Sequence, residues 1–151
     1  MVMQMGNADN IRIERLTESS DRAAQDLTVL GSQLHTEPCV YTTTELEALL
    51  AERNIIMMVA RDGERIVGMA TLYVIQKVGE SISYIEDVVV SEEYRGQGIG
   101  ERLMRALIGA AQDRDIHYIE LTSRPSRIAA HKLYEKLGFK KYETDVFKLE
   151  L

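Results

Sequence analysis

Glu86 stands out first, because it is a carboxylate in a run of apolar and aromatic residues. Residues 82–90 read Ile-Ser-Tyr-Ile-Glu-Asp-Val-Val-Val. They alternate as a strand does: Ile82, Tyr84, Glu86, Val88 and Val90 share one face, and Ser83, Ile85, Asp87 and Val89 the other. A carboxylate on such a face costs free energy unless it has a partner or a task. An apolar neighbourhood raises its pKa, which makes a better general base near neutrality. Shortly after the strand comes Arg95-Gly96-Gln97-Gly98-Ile99-Gly100. Glycines at every second position remove the Cβ atoms that hold a ligand away from the main chain. A periodic helix begins at once, with its unpaired N–H groups and positive dipole end facing the loop. That arrangement cradles a diphosphate, and Arg95 can add a charge-assisted contact.

Two nucleotide-binding loops fail on residues. A Walker loop needs Gly-Lys-Ser/Thr at its end, but Gly100 is followed by Glu101-Arg102. The dinucleotide spacing G-x-G-x-x-G, counted from Gly96 and Gly98, puts Glu101 where the third glycine belongs. The stretch instead resembles motif A of the GNAT family of N-acetyltransferases, Q/R-x-x-G-x-G/A, met by Arg95, Gly98 and Gly100. Downstream, Ala130-His131-Lys132-Leu133-Tyr134-Glu135-Lys136-Leu137-Gly138-Phe139 resembles motif B of the same family, A-x-x-x-Y-x-x-x-G-F. The resemblance covers most of residues 11–151. It implies acetyl-coenzyme A as cosubstrate, with its pyrophosphate on residues 95–100 and its pantetheine arm paired to Val88, Val89 and Val90 as a pseudo-strand. One departure is Arg127, which stands where the family often has an asparagine touching the pantetheine arm. Arginine can instead meet a coenzyme A phosphate.

The implied reaction moves an acetyl group from a thioester to an amine, and chemistry sets three tasks. A lysine-type ammonium, with a pKa of about 10.4, must lose a proton; Glu86 is the candidate base, directly or through water. The alternative for Glu86 is a buried pair with an arginine or lysine. The thioester oxygen must be stabilised as it gains charge; the resemblance implies a main-chain N–H near Asp87 to Val89. The departing thiolate must be protonated. Tyr134, at the motif B tyrosine, is the candidate acid, since a phenol of pKa about 10 can return a proton to a thiolate of pKa about 8.5. Its alternative is a core tyrosine with a satisfied hydroxyl. His131, one turn before Tyr134, could assist proton transfer or bind the cofactor phosphate, but reads more readily as an exposed or capping residue. His35 and His117 have no partner in the pattern, and Cys39 reads as a small apolar residue. Tyr41 and Tyr84 fit either the core or the wall of an acceptor site, and no metal site is read.

Those residues need a frame. The chain has 151 residues, enough for one domain, read as 1–151, with its own core. Its net charge of -6 argues against non-specific nucleic-acid binding. A single cysteine excludes an internal disulfide and suits a reducing, cytoplasmic setting. No membrane span and no secretory signal are read, and residues 1–9 read as a loose start. Ile11 to Leu16 alternates as a first strand. A helix follows over about 21–35 with Ala23, Ala24, Leu27, Leu30 and Leu34 on one face, and Gly31 as a weak point. Thr42 and Glu45 have capping-box spacing for a second helix. The resemblance makes the intervening segment, roughly His35 to Thr43, a lining of the acceptor site.

Residues 55–60 and 65–76 read as strands joined at Asp62-Gly63, with Met57 and Met58 in the core. Ile99 to about Arg114 is amphipathic, Ile116 to Leu121 is a strand, and Ser126 can cap a helix ending at Gly138. Phe147 to Leu151 alternates as a last strand. The expectation is an α+β, three-layer fold of the GNAT type: a mixed, twisted sheet of six or seven strands flanked by about four helices. Ile85-Glu86-Asp87-Val88 also resembles the same strand of glucosamine-6-phosphate N-acetyltransferases, although no basic residues match their sugar-phosphate contacts. An amino sugar therefore stands beside small amines, polyamines and protein amines as acceptor. The family commonly dimerises through its last strands, which implies a homodimer. The reading from a different class is a non-catalytic module of the same fold that binds acyl-coenzyme A as a sensor or pairs with another subunit.

Overall fold

The computed structural model describes residues 10–35 and 37–151. The loose start expected over residues 1–9 lies outside the described residues, as does Thr36 within the segment expected to line the acceptor site. The chain forms two compact units, one ending at Leu121 and one spanning Thr122–Leu151.

In the first unit, strand β1 (Ile11–Arg15) leads into helix α1 (Asp21–Ser32), then helix α2 (Thr43–Ala51). Ser20 caps α1, its hydroxyl accepting from the Ala23 N–H at 3.1 Å. Thr42 and Glu45 form the expected capping box on α2. Three strands follow, β2 (Ile55–Asp62), β3 (Arg65–Lys77) and β4 (Glu80–Val90), then helix α3 (Ile99–Gln112) and the short strand β5 (Ile119–Glu120). The sheet runs in the order β1-β2-β3-β4-β5, antiparallel except for β5, which lies parallel to β4. The crossing helix between β4 and β5 demands that parallel pairing.

The sheet is buried on both faces. Leu27 and Leu30 of α1 and Leu46 of α2 pack with Met57, Val59, Met69 and Val89 on one side. Gly68, next to Met69, faces the other side: a Cβ there would lie 3.2 Å from Leu103 of α3. Leu103, Met104 and Leu107 are fully buried. Burying a leucine of this kind is worth about 1.5–3 kcal/mol, so the two flanking layers hold β3 and β4 as a rigid frame.

The second unit contains helix α4 (Ile128–Lys136). It begins at Arg127, with no side-chain cap, so the expected Ser126 cap is not formed. Gly138 has φ +94°, the left-handed geometry expected after the helix. The Phe139 N–H donates to the Tyr134 carbonyl at 3.0 Å, and the two rings meet edge-on at 6.0 Å.

The expected six or seven strands are corrected to five among the described residues. The expected strand over 116–121 is reduced to Ile119–Glu120, and residues 139–151 form no regular structure. Phe147, Leu149 and Leu151 alternate, but all are exposed, and their own unit supplies no second strand to pair with. Alternation marks a face; a strand also needs a neighbour to bond with.

Candidate active site

The site is built around a defect in β4. Glu86 lies across from Thr71, and Val89 lies across from Met69, so Asp87 and Val88 both oppose Ala70. This is a β-bulge, with two residues facing one. Asp87 takes the left-handed conformation there, φ +57°, at a position where such bulges commonly carry glycine. The alternation expected through residue 90 therefore breaks. Val89 joins the core beneath α1, on the face that also carries Glu86. Asp87 is turned toward the end of α1, with its Oδ1 3.9 Å from Nε2 of His35. Two successive carboxylates thus serve the same side of the sheet.

Glu86 is more exposed than its strand position implies. Even so, burial of its carboxyl raises its pKa, and neighbouring Asp87 raises it further. Burial also raises the Asp87 pKa, and His35 partly opposes that shift. No arginine or lysine in the first unit is paired with Glu86, so the expected alternative of a buried ion pair is not what the structure holds there.

The connection between α1 and α2 forms the facing wall. Thr28 of α1 donates its hydroxyl to the Ala24 carbonyl at 2.8 Å and accepts the Tyr41 N–H at 2.9 Å. Tyr41 can lie this close because residue 31 is glycine: a Cβ there would sit 3.2 Å from Tyr41 Cε2. Burial, then Asp87, then Cys39 push the Tyr41 phenol above its ordinary range. Burial, then Asp87 and Glu86 do the same for Tyr73 of β3. Tyr41 also lines an open cavity of about 270 Å³ with Val40, Glu45, Leu46 and Leu49.

The second half of the site follows directly. Strand β5 pairs with β4 only at Ser83 and Tyr84, so within this unit the β5-side edge of β4 has no strand partner over Val88, Val89 and Val90. That edge runs through Ser91 and a 3-10 turn at Glu92–Tyr94 into the glycine loop. Gly96 and Gly98 have φ +75° and +76°, and a Cβ on either would meet nothing within 4 Å. Gly98 is the N-cap of α3 and offers no side-chain cap, which leaves the first-turn N–H groups open. Ile99 is buried, so only its main chain belongs to the loop. The Gln97 side-chain oxygen is buried without a partner. Arg95 is held over the strand end, donating to the Val90 carbonyl at 3.1 Å and to the Gln33 side-chain oxygen at 3.2 Å. The arrangement suits an elongated ligand with an extended amide-bearing arm and a diphosphate.

Tyr134 and Arg127 lie in the second unit. Tyr134 is buried and Arg127 is exposed. His131 is half-buried on the same helix. In the first unit, sequence reasoning missed the side chain of Asp87, together with Tyr73 and Gln33. The adjacent Glu-Asp pair was the available signal, but strict alternation assigned its two members to opposite faces.

A sequence profile described as the Acetyltransferase (GNAT) family matches residues 17–139. The chain is 34% identical over 88 residues to an L-2,4-diaminobutyric acid acetyltransferase of Shouchella clausii, covering 58% of this chain and 48% of that protein. It is 37% identical over 82 residues to a glucosamine 6-phosphate N-acetyltransferase of Trypanosoma brucei brucei, covering 52% of this chain and 54% of that protein. The matches thus span about half the length of these curated relatives. The crystal structure of a Trypanosoma brucei acetyltransferase superposes with a TM-score of 0.75 at 30% identity, covering 93% of this chain and 99% of that one.

Proposed function

Since the chain belongs to the acetyltransferase (GNAT) family, we propose that it transfers the acetyl group of acetyl-coenzyme A to a primary amine by direct attack within a ternary complex. A primary amine is what the acceptors named for the two curated relatives have in common. The observation that carries the reading is the edge of β4, without a strand partner in its own unit past Tyr84, running straight into a left-handed glycine loop at the start of α3.

In this reading Arg95, Gly96, Gln97, Gly98, Ile99 and Gly100 hold the pyrophosphate, mainly through main-chain N–H groups. Val88, Val89 and Val90 pair with the pantetheine arm. Glu86 accepts the proton of the acceptor ammonium, a task that its pKa, raised by burial and by Asp87, favours. The freed amine attacks the thioester carbon. A C–N bond forms, main-chain N–H groups at the bulge stabilise the charge on oxygen, and as the C–S bond breaks the nitrogen gives its second proton to water, which leaves a neutral amide. Tyr134 gives its proton to the leaving thiolate and regains one from solvent, and Arg127 meets a coenzyme A phosphate.

The reading includes a single domain and a cytoplasmic homodimer, and the exposed Phe147 and Leu149 support the dimer. Light scattering at micromolar concentration tests it; a monomeric mass refutes it.

Calorimetry with acetyl-coenzyme A, followed by thiol release in the presence of primary amines, tests the reaction. Binding in the micromolar range with amine-dependent thiol release is expected. Binding without release from any amine would favour a non-catalytic acyl-coenzyme A sensor, and absence of binding would overturn the reading.

A further inference from the structure

Asp87 is costly in two ways. Its backbone is left-handed at a residue with a Cβ, and its carboxylate is part-buried, with a pKa raised by burial. Within its unit only His35 partly offsets the second cost. No donor there is hydrogen-bonded to its carboxylate or to that of Glu86, and His35, at 3.9 Å, stands beyond hydrogen-bond reach. A second observation marks the same place as incomplete. Thr71 is fully buried, lies directly across from Glu86 on the same sheet face, and leaves its hydroxyl without a partner. An unpartnered buried group of this kind calls for a specific cause.

The surroundings define what would complete the site. Two carboxylates stand side by side, Asp87 is among the causes that raise the pKa of both the Tyr41 and the Tyr73 phenol, and the Arg95 guanidinium is turned to the Val90 carbonyl, Gln33 and Glu92. Carboxylates beside tyrosines suit a cation and repel a phosphate or carboxylate. Catalysis consumes only one positive charge, at Glu86, where the reacting ammonium gives up its proton.

We propose that Asp87 anchors a second, non-reacting ammonium group, so that the preferred acceptor is a diamine, with one amine delivered to Glu86 and the other held at the bulge by Asp87 and the flanking Tyr41 and Tyr73. This rests on the acetyltransferase reading and narrows its acceptor. No covalent step beyond the acetyl transfer already described is added.

The test compares matched acceptors, putrescine against butylamine and cadaverine against pentylamine, in the full chain and in Asp87→Asn and Asp87→Gly. Asparagine tolerates the left-handed backbone and glycine adopts it freely, so both variants keep the bulge and remove the charge. The wild type is expected to prefer each diamine at least tenfold in kcat/KM, expressed in KM. Both variants should bring that ratio close to one. Binding of putrescine to the protein alone, read by calorimetry, should be lost in both. A diamine-to-monoamine ratio unchanged by either variant overturns the proposal, as does a wild type that neither binds nor prefers the diamines. Failure of acetyl-coenzyme A to bind is a separate outcome. It sinks the acetyltransferase reading, while diamine binding without cosubstrate still reports on Asp87.

Discussion

Gly98→Ala separates a cradle from a turn. Gly98 has φ +76°, and a Cβ added there meets no protein atom within 4 Å. The cost to the fold is therefore the backbone term alone, roughly 1–2 kcal/mol for a residue with a Cβ in the left-handed region. For a chain of this size that corresponds to a fall in melting temperature of about 2–8 °C. Gly79, in the turn between β3 and β4, supplies the control: its φ is +87° and a Cβ there also meets nothing within 4 Å. Gly79→Ala should therefore cost about the same stability. The two variants must diverge on coenzyme A. A Gly98 Cβ would occupy open space at the N-cap of α3, where the cradle reading has phosphate oxygens approach, and a relaxed φ would turn the first N–H groups aside. An affinity loss of at least tenfold, about 1.4 kcal/mol, is expected for Gly98→Ala by calorimetry, with Gly79→Ala close to wild type. Thermal denaturation without ligand checks that the stability costs match. Equal affinity in Gly98→Ala and wild type would refute the diphosphate cradle. An equal loss in both variants would mean that binding merely tracks stability.

Glu86→Gln should lower kcat/KM by about 10²–10⁴-fold. Because the base works deprotonated and its pKa is raised, wild-type activity should climb with pH through that raised value, and the variant should lose this limb of the profile. Tyr134→Phe should reduce turnover while leaving acetyl-coenzyme A affinity in calorimetry unchanged; unchanged turnover would remove Tyr134 from the acid role. Gly31→Ala places a Cβ 3.2 Å from Tyr41 Cε2, so the acceptor KM should rise with no change in coenzyme A binding. Asp87 has a folded-state pKa above its unfolded value, so its stability contribution is intact below the ordinary carboxylate range and is lost as pH rises through the raised value. Without amine present, Asp87→Asn should therefore melt higher than wild type at neutral pH, and the gain should fade in acid.

Much of this was legible in the sequence because it rests on local rules. The capping box at Thr42 and Glu45, the helix face through Leu27 and Leu30, and the left-handed Gly138 each follow from residue type and spacing. The glycine loop was legible for the same reason. Gly31, which weakens α1 by propensity, was not explained until Tyr41 was seen packed against it. The last strand failed on different grounds. Phe147, Leu149 and Leu151 carry the right period, but strand formation depends on a partner, and partners are not encoded locally.

The bulge was invisible for a deeper reason, and that reason bears on its role. Period-two reading assumes one residue for one across the ladder, and nothing in Glu-Asp-Val-Val-Val announces an extra residue. On either side of the defect the pairing is orderly: Glu86 with Thr71 before it, Val89 with Met69 after it. Removing Asp87 on paper would set Val88 across from Ala70 and leave both of those pairs in place. The extra residue therefore contributes nothing to core register. What it changes is local. It sharpens the twist of β4 just past the point where β5 stops pairing, at Tyr84, and it turns one more carboxylate toward His35. A residue that the core does not need, held in a strained conformation, with its charge part-buried and without a hydrogen bond in its unit, is accounted for by what it presents to a ligand rather than by the fold.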